Sequence, residues 1–311
     1  MIQYLHHSVI DKKKWDETIS ASVNGIIYAC SWFLDIVSPG WDALVSGDYE
    51  SVLPLTHAKK WGIRYLRQPF FTQQLGIFSR THLTASLSDE FLRNVTDRFR
   101  LAEIHLNAFN KVDEGRYRVI RRMNLELDLI PSYESLAGNY SQNTRRNLHK
   151  AFENNIELRR KVDPDELITL FRENFGKREG KLAFRDYETI RNLMHHCLAN
   201  NLGMTLGAWL PGHGFSAGVF FLLDRTRKIF HFAASSPHGK EAGAMFLITD
   251  TFIREHAGQP VVLDFEGSDD PNVARFYKGF GAKEVPYLML AHNMLPIPVK
   301  AALRVVKRKR E

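Results

Sequence analysis

The sequence predicts an α+β fold in two domains, each a mixed, mostly antiparallel sheet flanked by helices. Three observations carry this. The chain has 311 residues, enough for two ordinary domains, and its 44% hydrophobic and 25% charged residues are those of a folded globular protein. Strand-like runs are joined by hairpin signals such as Pro211-Gly212 and Asp224-Arg225. Helical stretches with their own cap residues interrupt those runs in both halves.

In the first half, Asp16 to Ser22 suits a helix and GIIYAC (25–30) reads as a buried strand. Ser38-Pro39-Gly40 is a strong turn signal, followed by YESVLPLT (49–56) as a strand. GIRYLRQPFF (62–71) and QLGIF (74–78) continue the strand-like pattern. SLSDEFLRNVTDRF (86–99) is helical: Phe91, Val95 and Phe99 fall on one stripe, and Ser88 can cap its start. AEIHLNAF (102–109) and RYRVIRRMNLELDL (116–129) read as strands, the latter alternating through Leu125, Leu127 and Leu129.

A helical stretch spans about 132–154, its second part starting at Ser141 as cap. There Arg146 and Lys150 lie one turn apart on one face, and Arg145 and His149 on the next. At 163–175 Asp163 is the expected N-cap with Pro164 at the first helical position. DYETIRNLMHHCLAN (186–200) is the next helix. Three strands follow at 204–210, 215–224 and 228–235, then a helix-rich stretch at 243–258 and strands at VVLDFEG and YLMLAH (287–292). The expected boundaries are therefore 1–131 for the first domain, 132–155 for a connecting basic helical segment, 156–293 for the second domain and 294–311 for a basic tail.

Charge and composition narrow the function. Of the net +7, the stretch 300–311 supplies +5, from six Lys and Arg residues against Glu311. A frayed solvated end and a patch for an anionic partner, RNA or a lipid surface, both fit it. No apolar run approaches the ~18 residues of a membrane span, and the first residues lack the basic-then-apolar order of a signal peptide. Cys30 and Cys197 lie far apart in apolar surroundings and read as buried free thiols. Together these suggest a cytoplasmic protein, with 300–311 as a point of peripheral contact with the inner face of a membrane.

The sequence holds no P-loop, no G-x-G-x-x-G after a strand, no H-E-x-x-H and no G-x-S-x-G. The paired histidines His6-His7 and His195-His196 point apart on a helix or strand, so no metal site is expected. The stretch VVLDFEGSDDPNVARFYKGFGA (261–282) stands out instead. If it begins as a strand, Val262, Asp264 and Glu266 share one face. Carboxylates there need partners, such as Arg275, or a cleft in which to hold or deprotonate an amine. Upstream, a loop ahead of the helix beginning near Gly243 aims free N–H groups outward, with Lys240 adding charge.

This succession of strands, loops and helices resembles the GCN5-related N-acetyltransferase (GNAT) fold. Lys240, Gly243 and Met245 stand at the positions of that family's pyrophosphate loop, and Asn272, Ala274, Tyr277 and Gly281 resemble its later segment, with Ala282 where phenylalanine is usual. The likeness is closer to the FemAB branch, which carries two GNAT-like domains in one chain and attaches amino acids from aminoacyl-tRNA to peptidoglycan precursors. NTRRNLHKAFENNIEL (143–158) resembles its basic helix, and LDFEGSDDPNVARFYKGFG its late D-F-x-G strand end and K-x-F-G helix end. In the first half, Trp15, Ser31, Trp32, Leu53, Pro54, Gln68 and Pro69 fit the branch's pattern.

The resemblance implies an acyl- or aminoacyltransferase acting on an amine. Asp264, Glu266 and Tyr277 are its catalytic candidates, the acids orienting the amine and Tyr277 protonating a leaving group. Lys240, Gly243, Ala244 and Arg275 are candidates for the donor's phosphates, and Arg146, Lys150, Ser235 and Lys278 for substrate. It implies no tightly bound cofactor; acyl-CoA or aminoacyl-tRNA would be a co-substrate, and tRNA or a nucleotide-linked cell-wall precursor a partner. Two other readings fit the residues: a coenzyme A-dependent N-acetyltransferase for a small amine, and a non-catalytic module holding an anionic ligand, RNA or a membrane surface.

Overall fold

A computed structural model describes residues 1–176, 182–267 and 270–300. The basic run 301–311 lies outside the described residues, so the expected contact through 300–311 is followed only to Lys300. The described residues form two compact units, Met1–Arg122 with the segment from Pro286 to Lys300, and Met123–Val285. Both mix helices with largely antiparallel strands.

In the first unit β1 (Ile2–Leu5), β2 (Asp42–Ser46), β3 (Ser51–Leu55) and β6 (Phe78–Ser79) form an antiparallel sheet in the order β1-β2-β3-β6. A second set runs β4 (His57–Lys60), β5 (Ile63–Arg67), β7 (Leu101–His105) and β14 (Lys283–Asn293), the last contributing its residues from Pro286 on. The helix Ala85–Arg98 lays Phe91, Leu92 and Val95 into a core with Leu66, Ala102, Ile104 and Leu290. Its N-cap is Thr84, which accepts the Leu87 N–H, rather than Ser88, which is buried one turn inside.

The expected strand at 25–30 is a 3₁₀ turn (Ile27–Ala29) leading into the helix Ser31–Val37. Side chains explain the difference. The Trp15 indole donates to the Ala29 carbonyl at 2.7 Å, and the Asp16 carboxylate accepts both the Ser31 N–H and its hydroxyl. These local partners satisfy the backbone, so the segment needs no strand beside it.

The second unit carries a sheet in the order β8 (Val119–Asp128, from Met123 on), β13 (Val262–Asp264), β12 (Arg227–Ser235), β11 (Gly214–Leu223), β10 (Gly203–Leu210) and β9 (Glu157–Arg160). All neighbours are antiparallel except β12 and β13, which run parallel. Alternation on β11 sends Ala217, Val219 and Phe221 to one face, where Phe221 stacks on Phe252 of the helix Ala244–His256 at 3.9 Å. The opposite face meets the helices Pro164–Phe171 and Phe184–Ala199; a Cβ on Gly218 would touch Leu167, and one on Gly203 would crowd Cys197. Asp163 caps the first of these helices ahead of Pro164, as its sequence predicts.

The sequence placed 156–293 in one domain and 132–155 in a connector. The structure instead gathers 123–285 into one unit and returns the end of β14 to the first, where Leu290 pairs with Ile104 of β7. That pairing joins residues far apart in the chain, which local periodicity does not report.

Candidate active site

Asp264 is fully buried, and its position explains why a strand carries an acid there. It lies directly across from Glu126 on β8, so two carboxylates face each other. Arg227, at the start of β12, bridges them, its Nη1 reaching Asp264 Oδ2 at 2.6 Å and Glu126 Oε1 at 2.7 Å. Burial opposes the guanidinium's charge, but the two carboxylates outweigh it and push its pKa further up. Arg275 is not the partner; it stands exposed on the helix Pro271–Gly279.

The other Asp264 oxygen, Oδ1, accepts the Glu266 N–H at 2.8 Å and so turns the chain out of the strand. Glu266 and Gly267 both take left-handed backbone angles, with φ of 59° and 63°. Gly267 passes so close to the Met123 carbonyl that a Cβ would overlap it. The expected alternation therefore ends at Asp264, and Glu266 does not share its face. Glu266 instead meets His231 of β12, Nδ1 to Oε1 at 3.1 Å, and keeps about 20% of its side chain exposed while the His231 side chain keeps 1%.

β12 and β13 pair only over Arg227–Ile229 and Val262–Asp264. Beyond Ile229, β12 has no strand neighbour on that side among the described residues. His231 sits in this open stretch at a bulge, where Phe220 and Phe221 of β11 face Phe232 and Phe230 and leave His231 as the extra residue. Tyr277 closes one side, its ring stacked on Phe265 at 4.6 Å and edge-on to Phe230 at 5.7 Å. Burial first, and then the Glu266 and Asp264 carboxylates, push its phenol pKa up. The parted strands thus carry a carboxylate bonded to a histidine, with a buried phenol packed on the adjoining Phe230 and Phe265. Such a set can hold an amine, take its proton and supply one to a leaving group.

A second locus lies where the helix Ala244–His256 begins. Gly243 has a φ of 79°, ends the short helix Pro237–Ala242 and starts the longer one. A Cβ there would stand 2.5 Å from the Asn147 carbonyl oxygen, so only glycine lets this joint press against the basic helix Gln142–Glu153. Ala244 is buried at the joint, and Lys240 is exposed on the short helix. Arg146 and Lys150 precede the two residues that Gly243 approaches, Asn147 and Ala151, and both are exposed. Ser235 is buried at the end of β12, and Lys278 pairs with Glu284 at the surface. Sequence reasoning missed His231, Arg227 and Glu126; Arg227, set just after a hairpin turn at the head of a strand, was the one with a readable signal. Among the described residues, no group of three or more His, Cys, Asp or Glu could hold a metal ion.

No family model matches the chain, and no curated protein matches it. Solved structures do. The crystal structure of FemX aligns with a TM-score of 0.62 at 13% identity, over 93% of this chain and 98% of that one. The chain has the FemAB-like tandem GNAT fold. L-PGS from Bacillus licheniformis aligns with a TM-score of 0.53 at 11% identity, over 94% and 95% of the two chains. A tandem GNAT protein from the clavulanic acid biosynthesis pathway aligns at 0.50 with 10% identity, over 95% and 99%. Within this fold, the parted strands and the glycine joint both belong to the second unit. No helix among the described residues is long and apolar enough to cross a membrane.

Proposed function

We propose that the second unit transfers an acyl or aminoacyl group from an activated donor to an amine. The observation that carries this is the parting of β12 from β13 beside Glu266, His231 and Tyr277. An open strand edge presents backbone groups to an extended donor and to the oxygen of its carbonyl. In this reading Glu266 orients the amine and takes its proton, while the buried His231 fixes the carboxylate. The amine nitrogen bonds to the donor carbonyl carbon and the carbon–oxygen or carbon–sulfur bond to the leaving group breaks. Tyr277 protonates the departing oxygen or sulfur and recovers its proton from the one the amine released. Asp264 is assigned to holding Arg227 and the turn, not to chemistry. Arg146, Lys150 and the helix start at Gly243 and Ala244 would take the donor's phosphates.

An aminoacyl-tRNA donor with a nucleotide-linked cell-wall acceptor is the reading we put first. The likeness to FemX and to L-PGS supports it, and the basic helix suits a polyanionic donor. Acyl-CoA is the second, supported by the likeness to a tandem GNAT protein whose structure was solved without AcCoA. Thermal shift with coenzyme A, tRNA and UDP-linked muropeptides separates them, followed by a transfer assay with whichever binds. Glu266→Gln and Tyr277→Phe are each expected to slow transfer by about 100-fold or more. Full turnover in both variants would overturn the assignment. Steeply salt-dependent RNA binding with no transfer would favour a non-catalytic anion-binding module.

A further inference from the structure

One face of the β4-β5-β7-β14 set packs on the helix Ala85–Arg98 through Leu66, Ala102, Ile104 and Leu290. The other face lines a groove of about 410 Å³, a volume typical of ligand pockets. Ile63, Tyr65, Leu101, Ile120, Met289 and Leu295 make its walls largely apolar. Lys60, Arg67, Arg118 and Lys300 line it as well, against a single acid, Glu103. Among the described residues, none of the four cations forms an ion pair.

The hairpin between β4 and β5 adds a second observation. Trp61 stands at its tip with 59% of its surface exposed and a φ of 51°, followed by Gly62 at 77°. The Lys60 ammonium lies 4.9 Å from the Trp61 ring centroid. Ile120, at the groove, is 38% exposed, and Ile297, between the lining residues Leu295 and Val299, is 82% exposed. Exposed tryptophan and aliphatic side chains beside unpaired cations suit a boundary between water and hydrocarbon, where indole rings and basic heads settle.

We propose that this groove seats an acyl chain of an anionic membrane lipid, with Trp61 at the interface and the four cations facing the headgroup. Charge complementarity selects an anionic amphiphile: with one acid against four cations, a neutral apolar ligand would leave the excess positive charge of the groove unmatched. The inference stands on the first unit alone and does not depend on transfer chemistry in the second.

The test is sedimentation of the full chain with phosphatidylcholine vesicles, alone and mixed with phosphatidylglycerol. Arg118→Glu tests the headgroup contact, Ile120→Asp the groove, and Trp61→Asn the interface; asparagine accepts the left-handed angle. Circular dichroism confirms that each variant is folded. The 301–311 segment is present throughout, so a loss of binding reports the groove. We expect binding only to the mixed vesicles, weakened on the order of tenfold by Arg118→Glu, since each cation near an anionic surface contributes appreciably. Ile120→Asp and Trp61→Asn should weaken it comparably. Binding that ignores Ile120→Asp and Trp61→Asn would reduce the surface to a basic patch and overturn the proposal. So would capture of free fatty acid without vesicle binding, or equal binding to phosphatidylcholine alone.

Discussion

Replacing Arg227 by methionine removes the one cation between two carboxylates. Asp264 has no exposed side-chain surface and Glu126 has 17%, so neither can turn fully to water. Breaking a buried pair by deleting one partner costs roughly 3–5 kcal/mol, because the remaining charge stays desolvated. Arg227 keeps 23% of its side chain exposed, which places the expected loss at the lower end, about 3 kcal/mol. Hydrogen exchange of the β12 and β13 amides in mild urea reads this as a free energy of opening. The double variant Arg227→Met with Asp264→Asn removes the cation and the sealed carboxylate, keeps an oxygen for the Glu266 N–H and leaves only the partly exposed Glu126 unpaired. It should recover part of the loss. A single-variant cost below about 1 kcal/mol, or no recovery in the double variant, would refute the assignment of Asp264 to a structural ion pair.

Further outcomes follow from the same geometry. Gly243→Ala forces a Cβ against the Asn147 carbonyl at a φ of 79°; it should lower stability by about 1–3 kcal/mol in thermal melts and weaken anion binding at the basic helix. If the proposed mechanism holds, His231→Asn should reduce transfer far more than thermal stability, because it removes the partner of Glu266; a loss confined to the melting temperature would count against it. Cys197 is buried, and burial pushes its thiol from 9.0 up to about 12. The folded state therefore holds the proton longer than the unfolded chain, so this contribution is intact below pH 9 and is lost as pH rises toward 12. A thiol reagent should accordingly modify the half-buried Cys30 before Cys197, and Cys197 only after unfolding.

Much of the architecture was legible because it is written locally. Asp163-Pro164 started a helix where it should, Ser141 capped the basic helix, and the hairpin strands of the second unit fell at their predicted positions. What failed depended on contacts from afar. GIIYAC has a strand's composition, but Trp15 and Asp16 hold it in a turn. Ser88 has a cap's chemistry, but Thr84 took the role four residues earlier. In the candidate site, Asp264, Glu266 and Tyr277 were visible as residue types, yet the partner expected for the acids was the wrong arginine.

The sequence by itself determined the composition of two α+β units, the capped helices and the polar residues gathered in the stretch 261–282. It could do so because caps, turns and alternation are properties of neighbouring residues. Only the tertiary structure decided which acid is sealed and which keeps an edge open to solvent. Register across β8, β12 and β13 buries Asp264 against Arg227, and a left-handed turn sends Glu266 to His231 instead. A carboxylate's role is set by what desolvates it and what charge lies within reach, and those are fixed by strands that meet from distant parts of the chain.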